Sequence, residues 1–226
     1  MPMVEMFMPV KTYVLVRFGK WDELLAAKEP DKGMRLHNAM WHWGRGMAYA
    51  AKGNYDAAEK EQKLLDEAKA SAPKDAIVDK TPLTDVLGVA SHMLAARIAG
   101  GKGDIDAASK HYDEAAALHD GFKYIEPPEW PFPVREAHGA MLLRAGKAAE
   151  AEKLFRADLE RFPRNGRSLF GLAESLKAQG NNDSAKLIEM QFRDSWKQAD
   201  TKLSKENLEL GTGVSAPVKA AKVGMK

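Results

Sequence analysis

Three histidines, His42, His92 and His138, stand at comparable places in successive apolar segments of this sequence. Imidazoles projecting from one face of stacked helices could converge on zinc or copper with an open fourth position. No His-x-x-x-His pair accompanies them, and the same histidines serve equally as hydrogen-bonding groups between helices. Glu126, Glu129 and Glu136 supply carboxylates for acid-base work, or surface partners for Arg135 and Arg144. Met1, Met3, Met6 and Met8 offer thioethers to copper, or pack as an adaptable chain end. Gly100, Gly101 and Gly103 lack the preceding strand and the following lysine-serine of a phosphate loop. No catalytic residue and no cofactor is expected.

A second set of residues suits binding better than catalysis. Helical spacing puts Tyr13 and Arg17, then Met40, Trp43 and Met47, then Met93 and Arg97, then Glu136 and Arg144, then Phe170 on the faces that would line a concave surface. Large adaptable apolar groups beside arginines fit a peptide or an acidic chain end. The alternative is that the insertions fold into the concavity and cover these residues as ordinary core. The stretch Glu126-Pro127-Pro128-Glu129-Trp130-Pro131-Phe132-Pro133 contains too many prolines for a helix. It is expected to be either a lid, with Trp130 and Phe132 as its apolar contacts, or a rigid connector whose aromatics fill a gap.

The elements that must position these side chains are marked by Gly19, Gly53, Gly103, Gly146 and Gly180, each closing one apolar helical segment before another begins. The outer intervals, Gly19 to Gly53 and Gly146 to Gly180, are 34 residues, and the interval Gly53 to Gly103 is 50. An insertion over Pro73 to Pro82 accounts for the longer step, and Glu126 to Pro133 forms a second. Gly46, Tyr49, Gly53, Tyr55 and Ala58, and again Gly139, Leu142, Gly146, Ala151, Phe155 and Pro163, fall where the 34-residue tetratricopeptide pattern has its small, aromatic, turn and packing residues.

From roughly Tyr13 to Trp196 the chain therefore resembles bacterial tetratricopeptide repeat (TPR) proteins. Val14 to Asp22, Met40-Trp41-His42 and Glu126 to Arg135 are similar to the C-terminal part of longer, poorly characterised TPR proteins. The resemblance implies an all-α, TPR-like α-solenoid of about five antiparallel helix pairs with two insertions. Pairs are expected near 6–28, 37–72, 84–119, 133–162 and 166–198, in a repeat domain over 1–200, followed by a flexible basic tail over 201–226. Further repeats upstream are implied, with the first pair partly exposed. His42, His92, Arg135 and Leu169 replace the usual tryptophan, and Arg45 and His138 replace a consensus leucine, so these polar groups need partners.

Composition narrows the function classes. The 34 basic and 32 acidic residues are interspersed and sum to +2, which does not point to nucleic acid. With no cysteine there is neither a disulfide nor a thiolate site. No apolar run approaches the roughly 20 residues of a membrane span. The start lacks the features of a signal peptide, so the expectation is a soluble chain, cytoplasmic or periplasmic. The function expected is a scaffold that binds a protein or peptide in the groove. The alternatives are an assembly subunit of a larger complex or homo-oligomer docking through its N-terminal face, and a metal-binding protein or metalloenzyme using the three histidines.

Overall fold

A computed structural model describes residues 3–210. After a short 3-10 turn at Met3–Phe7 come α1 (Val10–Arg17), α2 (Trp21–Leu25), α3 (Arg35–Ala51), α4 (Tyr55–Ala70), β1 (Ile77–Val78), β2 (Thr81–Pro82), α5 (Leu83–Gly101), α6 (Ile105–Asp120), α7 (Val134–Arg144), α8 (Ala148–Arg161), α9 (Gly166–Ala178), α10 (Asn182–Trp196) and α11 (Lys205–Leu208). The first ten helices form five antiparallel pairs in an all-α TPR-like solenoid. None of the described helices is long and apolar enough to cross a membrane.

All five turn glycines adopt the left-handed conformation, with φ from 62° to 88°. A side chain there would be strained, whereas glycine enters that region freely. At each, the next residue's N–H donates back to a carbonyl five residues earlier, as Asn54 does to Tyr49 and Asn181 to Leu176. This is the Schellman closure, which satisfies carbonyls orphaned at the helix end. The second helix then starts at once. Asn54 and Asp104 cap α4 and α6 by accepting from the N–H groups of Ala57 and Ala107 at 3.2 and 3.0 Å.

Leu36, Ala39, Met40, Trp43 and Met47 recur at helical spacing and form the buried stripe of α3. Helix α5 is buried over most of its circumference because α3, α4 and α6 all pack on it. Gly139 and Gly171, on α7 and α9, leave room for the Phe155 ring between them. The first helices α3 and α5 pack side by side, as do α7 and α9. Helix α7, by contrast, joins the preceding pair mainly through α6. The second irregular segment enters at this joint.

Both irregular segments are ordered by packing. Pro73 to Pro82 contains a hairpin in which Val78 pairs antiparallel with Thr81. The Thr81 hydroxyl donates to Glu129 at 2.9 Å, with both residues buried, so one insertion fastens the other. Residues 203–210, expected as the start of a flexible tail, instead fold back. Leu203, Asn207, Leu208, Glu209 and Leu210 are buried, and α11 packs on α7 and α9. The remainder of the expected tail, like Met1, lies outside the described residues.

Candidate functional site

The concave face is built from α1, α3, α5, α7 and α9, and its N-terminal half is apolar. Tyr13, Trp43, Trp130 and Phe132 form one aromatic cluster, with ring centroids 5.1 Å apart for Trp43 and Trp130 and 5.7 Å for Tyr13 and Phe132. Edge-on geometry suits the ring quadrupoles. The proline-rich segment thus lies across the concavity and seals Trp43, which has 0% exposure. Met47 and Met93 are closed to the same degree, each 1% exposed. Burial drives the Tyr13 hydroxyl well above its usual pKa.

The C-terminal half is polar. Arg17 donates to Glu136 at 3.0 Å, Arg167 donates to the same oxygen at 2.8 Å, and Asn165 donates to the other at 3.0 Å. Burial alone would raise the Glu136 pKa, but the two guanidinium groups and these hydrogen bonds outweigh it and hold the carboxyl below its ordinary range. A cavity of about 430 Å³ opens beside this network, walled in part by Arg17, Glu136, Asn165, Arg167 and Trp196.

Farther along the face, Glu209 receives Arg97 of α5 at 2.9 Å and lies 2.7 Å from Arg144 of α7. Arg167 of α9 donates to the carbonyls of Asn207 and Leu208. Arginines from three successive first helices therefore grip one acidic turn of the same chain. Its carboxylate sits where α5 and α7 separate. Arg97, Glu136, Arg144 and Arg17 take part in this arrangement, and Arg167 and Asn165 join them. Neither of the latter was anticipated from the sequence, although Arg167 lies one helical turn before Phe170, and a shift of that one turn would have found it. Phe170 itself packs edge-on against Phe192 of its own partner helix, with centroids 5.4 Å apart, so it faces into the pair and away from the groove.

The three first-helix histidines do not meet. His42 pairs with Glu61 at 2.7 Å, and Arg45 reaches the other oxygen of Glu61 at 2.7 Å. His138 stacks on Tyr112 at 5.1 Å and lies 3.5 Å from Asp113. His92 turns to His111 and Glu114 of α6. Each polar substitution in the repeat is thus matched by a partner on a second helix, as buried polar groups require. Desolvation lowers the pKa of both His92 and His138. Glu129 is engaged with Thr81 and Glu136 with arginines, which leaves neither as a poised acid or base. Arg135 and Arg161 instead share Asp120.

A tetratricopeptide repeat family model matches residues 20–76 and 137–187, the two stretches with the regular 34-residue step. The chain contains tetratricopeptide repeats over these two stretches. Its repeats build the architecture of a general protein-interaction scaffold, and the unmatched stretch between them, 77–136, holds most of the first insertion and all of the second. Among solved structures the TPR chain is similar to MamA (MSR-1 C2), at 17% identity and a TM-score of 0.47 over 86% of this chain and 98% of that one. No curated protein matches the sequence.

Proposed function

We propose that this TPR protein is a scaffold whose concave groove takes an acidic, leucine-bearing peptide, and that residues 203–210 occupy the groove in cis as a stand-in for that partner. The carrying observation is the grip of Arg97, Arg144 and Arg167 on Glu209 and the adjoining carbonyls. With the segment removed, Arg97 and Arg144 would lose the Glu209 carboxylate they share while Arg167 keeps Glu136, a surface complementary to an anionic chain. Leu203, Leu208 and Leu210 supply the apolar anchors.

A partner must compete with the cis segment, so its apparent affinity falls by the fraction of molecules with an open groove. The full chain carrying Glu209→Gln should therefore capture a labelled peptide of residues 203–210 more tightly than the unmodified chain does. Adding Arg97→Ala should reduce capture by about 10-fold or more, the worth of a charge-assisted hydrogen bond. Failure of Glu209→Gln to bind the peptide, with helicity intact, contradicts the reading.

The N-terminal face favours a second reading, assembly with another copy of the chain. Phe7, Val10, Val14 and Phe18 are 44–49% exposed, and Val10 and Val14 share one face of α1. Light scattering tests it. A monomeric mass at high concentration, or a mass unchanged by Val14→Glu, argues against assembly through this face.

A further inference from the structure

Between α5 and α6, on the side of α5 away from the arginine grip, three donor atoms approach one another. His92 Nδ1 lies 3.3 Å from His111 Nδ1 and 3.1 Å from Glu114 Oε2, and His111 Nδ1 lies 3.4 Å from that same oxygen. Among the described residues, this is the group of histidine and carboxylate side chains whose donors come within metal-binding reach.

The triangle has the dimensions of a coordination site. Zinc binds imidazole nitrogen and carboxylate oxygen at about 2.0–2.2 Å, and donors at tetrahedral angles are then roughly 3.3–3.5 Å apart. Helix geometry supplies the arrangement, because His111 and Glu114 are three residues apart on one face of α6 and His92 projects from the antiparallel neighbour. The ligand types, two imidazoles and one carboxylate, suit a borderline divalent ion.

Access and charge agree. The three side chains are 26%, 35% and 42% exposed, so an ion can enter and a water can complete the tetrahedron. From the packed helix α4, Asp66 and Lys69 face His92, but Lys69 lies 3.8 Å from Asp66, which offsets its charge. Asp66 also accepts from Ser91 at 2.6 Å, which fixes it beside the site.

We infer that His92, His111 and Glu114 form a binding site for a divalent transition metal of the zinc class. Both Nδ1 lone pairs point to the ion, and any proton lying between them in the metal-free chain moves to Nε2 through solvent. This differs from convergence of His42, His92 and His138, since one ligand is kept and two others come from α6.

The untagged full chain, stripped with a chelator and titrated with zinc chloride in a calorimeter, should bind one equivalent. His111→Asn and Glu114→Gln should each weaken binding by more than the ~10–100-fold cost of losing an outer-shell partner. His42→Gln should leave it unchanged. Zinc should raise the melting temperature of the unmodified chain and not of His111→Asn. Cobalt chloride should give the visible absorption of a tetrahedral site in the unmodified chain alone. Absence of zinc binding, equal binding by the His111 and Glu114 variants, or loss of binding in His42→Gln would overturn the proposal.

Discussion

Helix α5 serves two regions built on opposite principles. Toward the concave face it presents Arg97, which is 7% exposed and meets a carboxylate from 112 residues away. Toward α6 it presents His92, whose nearest partners are another imidazole and a half-exposed carboxylate. On the concave face Arg17, Arg97, Arg144 and Arg167 each meet Glu136 or Glu209, so a ligand there would enter by exchange. In the outer crevice three donors lie within 3.4 Å of one another on partly exposed side chains, so the proposed ion would enter by addition. Burial costs charge its hydration, and the concave network offsets that cost within the fold. The half-exposed crevice carries no such requirement.

Substitutions should separate the two regions by magnitude. The largest loss is expected for the concave centre: Trp43→Ala, which opens a cavity, or Glu136→Ala, which strands buried arginines, should each cost about 3–5 kcal/mol in chemical denaturation. A loss near 1 kcal/mol would mean that the concave face is looser than its burial suggests.

The next effect is in pH dependence. Burial raises Asp158 to about 6, so its contribution is fully present below the unfolded carboxylate value and is lost as pH rises through about 6. Burial lowers His119 to about 4, so its contribution is present above the unfolded imidazole value and is lost as pH falls toward 4. The two slopes oppose each other between pH 4 and 6, each of order 3 kcal/mol by linkage. The unmodified chain should show a shallow profile there. Asp158→Asn should make stability rise with pH, and His119→Gln should make it fall. Parallel profiles in all three proteins would contradict the assignment. Glu136 acts lower, since its depressed pKa makes the chain lose stability only as pH falls below the ordinary carboxylate range.

Glu209→Gln should have a smaller effect, about 1–3 kcal/mol, confined to release of residues 203–210 and measurable as faster proteolysis there. The smallest effect is expected in the outer crevice. Without metal, His111→Asn and Glu114→Gln should change stability by less than about 0.5 kcal/mol, as surface substitutions usually do. A larger loss would mean that the triad contributes to packing.

The repeat was legible because its signals are local. Five glycines, each closing a first helix in the left-handed conformation, and small residues at Gly46 and Gly139 specify turns and close helix approach wherever they occur. The concave positions Trp43, Met47, Met93 and Arg97 were legible as a face, and their burial stood as one of two open alternatives. What covers them comes from Trp130 and Phe132 and from Leu208 to Leu210, all distant in sequence, and no periodicity encodes that docking. Phe170 packs on Phe192 of its own partner helix, a contact that counting from the glycines does not reveal. The His92 cluster was half legible. Counting from the glycines finds the first-helix histidine, whereas His111 and Glu114 become its neighbours only through the antiparallel register of α5 and α6.

Native-state hydrogen exchange of the full chain tests the central claim, that residues 203–210 are a detachable occupant of an arginine-lined groove. The amides of Asn207, Leu208 and Glu209 should be protected, yet open at a denaturant concentration well below that which releases α3 to α8, and Arg97→Ala should speed their exchange without altering those helices. Exchange of these amides only with global unfolding would make the segment ordinary core and contradict the account, as would a lack of any protection.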